Sequence, residues 1–144
     1  MPSREITDHE YRLLAGFRHH LRSFTAFSEG AARAVGLEPR QHQLLLALRG
    51  LPENTEPSVQ TLADQMVLRH HTVVELLDRL EAGGLIRRER AADDRRRSHI
   101  KLTARGAALL RKLSDAHFDE LRSLAPALLE SLHAVLRAST GKAA

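Results

Sequence analysis

The sequence predicts a mainly α fold carrying one small β-hairpin, and three observations predict it. Hydrophobic residues make up 42% of the 144-residue chain but aromatic ones only 3%. Leucine and alanine dominate instead, a composition that suits helices better than a sandwich or barrel. Apolar residues recur at three- and four-residue steps through most of the chain. Only two short segments, 85–90 and 98–102, alternate as strands do, the first weakly and the second clearly.

The elements follow in order. Thr7 and Glu10 form a T-x-x-E capping box that opens a long helix. Tyr11, Leu14, Phe17, Leu21, Phe24, Ala31 and Val35 carry it to Gly36, which stops it. Pro39 suits the first turn of a second helix burying Leu44, Leu45 and Leu48, and 50–57 is the longest loop. Ser58 caps a short third helix with Val59, Leu62, Ala63 and Met66 on one face. After a three-residue break, Val73, Leu76, Leu77 and Leu80 form the buried stripe of a fourth, ended by Gly83 and Gly84. The hairpin comes next, with Ile100 and Leu102 on one face and a polar turn, AADDRRR, at its tip. Thr103 caps a further helix bearing Leu109, Leu110, Leu113, Phe118 and Leu121. Ser123 and Pro126 predict a break before a last helix with Leu128, Leu129, Leu132, Val135 and Leu136.

A short helix, a turn, a longer helix and then a basic hairpin make a winged helix-turn-helix, the unit whose second helix lies in the DNA major groove. Between 87 and 97 stand six arginines against Glu89, Asp93 and Asp94. The plain alternative for such a tip is a solvated turn, but its place directly after a helix-turn-helix favours DNA. The net charge of +4 is modest; the asymmetry sits in the wing, as expected when one small surface meets phosphate.

What the chain lacks narrows the function further. With no cysteine, disulfides, thiol redox sensing and cysteine-based metal sites are excluded. No apolar run approaches the ~20 residues that span a bilayer and no signal pattern opens the chain, so no membrane partner and a cytoplasmic location are expected. The length fits a single domain, 1–144. No nucleophile elbow, phosphate loop or framed carboxylate pair is present, so the expectation is a protein that is not an enzyme and needs no cofactor.

The residues of the third helix through the fifth carry a resemblance. Leu62-Ala63, the run from Thr72-Val73 to Leu77-Asp78-Arg79-Leu80-Glu81, Gly84-Leu85-Ile86, Asp94-Arg95-Arg96, Leu102-Thr103 and Gly106 together resemble the MarR family of winged helix-turn-helix transcriptional regulators. The match implies a winged helix-turn-helix at 39–106 with its wing at 85–102. It also implies N- and C-terminal dimerisation helices at 7–36 and 123–138, interlocking two subunits. The wide apolar stripes at the two chain ends, outside the DNA-binding unit, agree with that homodimer. A twofold pair would present two recognition helices to a pseudo-palindromic double-stranded DNA operator. Two positions depart from the family pattern: Val67 stands where a turn glycine is usual, and Arg69 where a serine cap is usual.

On this reading Arg69, His70, His71 and Thr72 form the first turn of the recognition helix and face the groove. Val74 can touch a thymine methyl, and Glu75, one turn on, either accepts from a cytosine amino group or repels a phosphate. Arg79 completes the helix contacts. Arg95, Arg96 and Arg97 supply the wing contacts, and Asp94 folds back to hold the tip in shape. The resemblance further implies a repressor released by a small aromatic or phenolic acid in a cleft drawing on Tyr11, Arg18, His19, Arg22 and His42, an arginine there suiting a carboxylate. Surface salt bridging explains those residues as well. The nine histidines pose a metal-responsive alternative, against which stand the lack of an H-E-x-x-H and of any short-spaced ligand cluster; no metal site is expected. A protein-binding adaptor that keeps the fold without DNA is the other alternative.

Overall fold

A computed structural model describes residues 4–91 and 94–140 of the backbone, with side chains described except at 90–98 and 139–140. The elements run α1 (Asp8–Ala34), α2 (Pro39–Arg49), α3 (Val59–Met66), α4 (His70–Ala82), β1 (Ile86–Ala91), β2 (Asp94–Leu102) and α5 (Ala104–Thr140). The mainly α class and the small antiparallel hairpin are as the sequence predicts.

The chain forms two compact units, 31–115 and a second made of 1–30 with 116–144. The first holds the core. Leu44, Leu45 and Leu48 of α2, Leu62 and Ala63 of α3, and Val73, Leu76, Leu77 and Leu80 of α4 are buried together with Ile86, Ile100, Leu110 and Leu113. In the other unit α1 opens on the expected capping box: the Thr7 amide donates to Glu10 Oε2 at 2.9 Å and the Glu10 amide to Thr7 Oγ1 at 3.2 Å. None of this unit's described residues is fully buried. Tyr11, Leu14, Leu21, Phe118, Leu121, Leu129, Leu132 and Leu136 are all exposed. His117 meets Phe24 and Phe27 edge-on, and its Nε2 lies 2.8 Å from Ser28 Oγ.

Local chemistry explains the joints. Ser58 Oγ accepts from the Thr61 amide at 3.1 Å and caps α3. Helix α3 ends with the Leu68 amide on the Ala63 carbonyl at 3.0 Å, a wrap that places Val67 in the left-handed region at φ 53. A β-branched side chain crowds its own backbone there, and Val67 is 88% exposed, so no burial offsets the strain. Helix α4 ends with the same wrap, the Leu85 amide on the Leu80 carbonyl at 3.0 Å. Here the left-handed position, φ 74, belongs to Gly84, which takes it without cost; Gly83 stays right-handed.

Two elements differ from expectation. The break at Ser123 and Pro126 does not occur, and α5 runs on with Pro126 inside it. Proline removes one amide donor and crowds the carbonyl four residues back. Pro126 and Arg122 are exposed, so water can serve that carbonyl, and the apolar stripe from Leu121 through Leu124, Leu128 and Leu132 passes the proline without a change of phase. At the wing, β2 already begins at Asp94, so the three arginines expected in the turn have strand backbone. The ladder pairs Ile86 with Leu102 and Arg88 with Ile100, with an irregularity at Arg90/Ala91.

Candidate nucleic-acid interface

Helix α4 turns Val73, Leu76, Leu77 and Leu80 into the core. At roughly 100° per residue this leaves His71, Glu75 and Asp78 on the opposite face. Burial agrees: Arg69, His70, His71, Glu75, Asp78 and Arg79 are exposed, while Thr72 and Val74 are half-buried at the flanks. The expected helix residues therefore share one accessible surface, though Arg79 is turned toward α2. Arg69 occupies the N-cap with extended backbone and gives no side-chain cap; the Thr72 amide turns back to the Arg69 carbonyl at 3.1 Å, which leaves the His70 and His71 amides without an acceptor inside the helix.

The charged groups behind this face are tied to the chain's own elements. Arg79 Nη1 donates to Glu38 Oε2 at 3.1 Å, with both side chains more than half exposed. Arg88 of β1 fastens the wing to α4. Its amide donates to Glu81 Oε2 at 2.8 Å, its Nε and Nη2 to Glu81 Oε1 at 3.2 and 2.9 Å, and Nη2 also reaches Asp78 Oδ1 at 2.7 Å. The Arg88 side chain, then its amide, holds the Glu81 carboxyl below its usual range, and Glu81 in turn holds the Arg88 guanidinium above its own.

A second joint sets the wing's base. Thr103 Oγ1 donates to the Gly84 carbonyl at 2.7 Å and accepts from the Gly106 amide at 3.0 Å. The Thr103 amide donates to Leu85 O at 3.1 Å, and Arg105 Nη1 donates to the Gly83 carbonyl at 3.1 Å. At Gly106 the backbone of α5 lies so close that a Cβ would overlap Leu85 O and stand 2.9 Å from the Leu85 carbonyl carbon. One capping threonine thus joins the end of α4, the start of β1 and the first turn of α5.

Asp94, Arg95, Arg96 and Arg97 lie outside the described side chains; their backbone belongs to β2. Of the residues expected to bind a ligand, Arg18 and Arg22 border one hollow of about 450 Å³, with Leu21, Thr25, Ala26 and Glu29. Tyr11 is exposed, and the His19 ring is tilted against that of His20 with centroids 5.8 Å apart; neither lines that hollow. His42 is buried at 2% exposure among the residues of α2 that face the core. A hollow of about 370 Å³ sets Arg49 and Arg111 beside Leu102 and Leu110. Among the described residues no group of three or more histidines and carboxylates is placed to hold a metal, and no helix is long and apolar enough to cross a membrane.

Sequence reasoning missed Glu38, Arg88 and the closeness behind Gly106. Glu38 had a local signal, since Gln41 three residues on returns its Oε1 to the Glu38 amide at 2.8 Å. Arg88 had none, because its partners lie across a turn at no periodic spacing.

This arrangement of two helices, a threonine-latched wing and a following long helix is that of a winged helix-turn-helix protein. The MarR family model matches residues 35–97. The organic hydroperoxide resistance transcriptional regulator of Bacillus subtilis (strain 168) is 35% identical over 101 residues, 61% of this chain and 69% of that one. The chain belongs to the MarR family, whose members are transcriptional regulators rather than enzymes. The HTH-type transcriptional regulator PecS of Dickeya dadantii (strain 3937) is 32% identical over 108 residues, 74% of this chain; the chain spans 64% of that relative's length. Sco3205, a MarR family regulator from Streptomyces coelicolor solved in complex with DNA, shares the fold at a TM-score of 0.71 and 21% identity, over 96% of this chain and 89% of its own.

Proposed function

We propose that this chain is a cytoplasmic, homodimeric DNA-binding regulator that reads an inverted-repeat operator and acts as a repressor. The observation that carries the reading is the exposed first turn of α4, where Arg69, His70 and His71 stand at a helix N-terminus that has no side-chain cap. Open amides at a helix N-terminus and cations nearby fit the phosphates that flank a major groove. A fold shared with a regulator solved on DNA supports it. The dimer is supported by the exposed leucines and aromatics of the 1–30/116–144 unit, which holds no fully buried described residue of its own.

The test is a salt titration on an operator selected from random duplexes. Log affinity should fall linearly with log salt, with a slope of magnitude about four or more for a dimer. The selected sites should be inverted repeats with half-sites centred ~10 base pairs apart. A salt-independent response refutes the reading.

The proposed releasing ligand is a small aromatic or phenolic acid whose carboxylate meets Arg18 and Arg22, the two cations on one hollow. Arg22→Ala should abolish release by such acids, while Arg111→Ala, at the other arginine-lined hollow, should not.

A further inference from the structure

We infer that Glu75 is a specificity-determining residue that reads a cytosine in each half-site by accepting from its N4 amino group. The inference rests on the proposed function and names one base of its target.

Asp78 and Glu81 are held by Arg88, and Arg79 is held by Glu38. Arg79 would otherwise be the natural partner of Glu75, four residues earlier on the same helix, but its guanidinium is drawn to α2. Glu75 is thus the one acidic residue of α4 with no ion pair or hydrogen bond among the described residues. It is exposed and stands on the helix face opposite the core, one turn beyond His71.

An unpaired carboxylate on a surface that approaches a polyanion is repelled unless a donor meets it. The major groove offers two amino donors, adenine N6 and cytosine N4. Adenine N6 is flanked by the N7 acceptor, whose lone pair opposes a carboxylate. Cytosine N4 has only the C5–H beside it. Guanine O6 and N7 and thymine O4 are acceptors and are rejected outright. The carboxylate therefore both selects cytosine and excludes the other bases at its position.

The test is selection from randomised duplexes with the full chain as wild type, Glu75→Gln and Glu75→Ala. Wild type should enrich cytosine at one position per half-site, by about five- to tenfold over the other bases. Glu75→Gln, able to donate and accept, should move that preference to adenine, and Glu75→Ala should flatten it there alone. Two outcomes overturn the inference while leaving DNA binding standing: an unchanged preference in Glu75→Gln, or a uniform gain in affinity for every sequence in Glu75→Ala, the mark of simple repulsion. A wild type that selects no DNA overturns the parent reading and this one with it.

Discussion

Substituting Gly106 by alanine tests whether the wing is set by the threonine joint. The added Cβ would overlap Leu85 O and stand 2.9 Å from its carbon, where carbon pairs ordinarily rest ~3.5–4.0 Å apart. The start of α5 and the start of β1 must then part by roughly 1 Å, and both atoms are backbone, so no rotamer change relieves the clash. Such overpacking costs about 1–3 kcal/mol. The separation also stretches the bonds from the Thr103 amide to Leu85 O and from Thr103 Oγ1 to Gly84 O, each contributing about 1 kcal/mol. Alanine's better helix propensity returns about 1 kcal/mol, leaving a net loss of about 2–4 kcal/mol. For a chain of this size that lowers Tm by roughly 6–12 °C. Urea unfolding followed by circular dichroism measures it. Gly83→Ala is the control: that residue is right-handed and its Cβ would meet Arg79 O at an ordinary 3.4 Å, so its stability should shift by under about 0.5 kcal/mol. Equal stability of the two variants would refute the close-approach argument.

Three further outcomes are expected. Val67→Gly should raise stability by about 1 kcal/mol, because the left-handed strain of an exposed valine disappears; a urea midpoint at or below that of wild type contradicts it. Glu81 is held below its usual value of 4.5 by Arg88, so its stabilising effect is present above that value and lost as pH falls through the depressed one. Glu81→Gln should cost about 1 kcal/mol at neutral pH, a modest figure because both partners are partly exposed and screened; the difference should vanish in acid, and a pH-independent gap argues against the pair. Arg96→Ala should weaken operator and random DNA alike by about 1–3 kcal/mol without lowering Tm, whereas His71→Ala should reduce the preference for operator; unchanged affinity for both DNAs in Arg96→Ala would remove the wing from the interface.

The helix-turn-helix was legible because it is written in periodicity. The stripe of Val73, Leu76, Leu77 and Leu80 fixes which face of α4 is left outside, and with it the exposure of His71 and Glu75. The capping pairs at Thr7 and Ser58 were legible for the same reason, since both partners lie within three residues. Pro126 misled because a local rule predicts a break, while solvent access and the unbroken leucine phase carry α5 through. The Arg88–Glu81–Asp78 network and the role of Gly106 were hidden, since each depends on residues brought together only after the chain turns back at Gly84. His42 marks a different limit: a histidine on a leucine-rich helix reads alike as ligand or core, and only its burial separates the two.

Val67 has a consequence for genetics. Many lesions in a small regulator abolish activity merely by lowering the folded fraction, and they mimic the loss of a functional contact. Relieving a strained surface position raises folded yield without altering the core or the reading face, so Val67→Gly should behave as a global suppressor. Placed in cis with any inactivating allele, it would restore those that fail through folding and leave untouched those that fail through recognition. A screen in that background would sort alleles into the two kinds before any of them was purified.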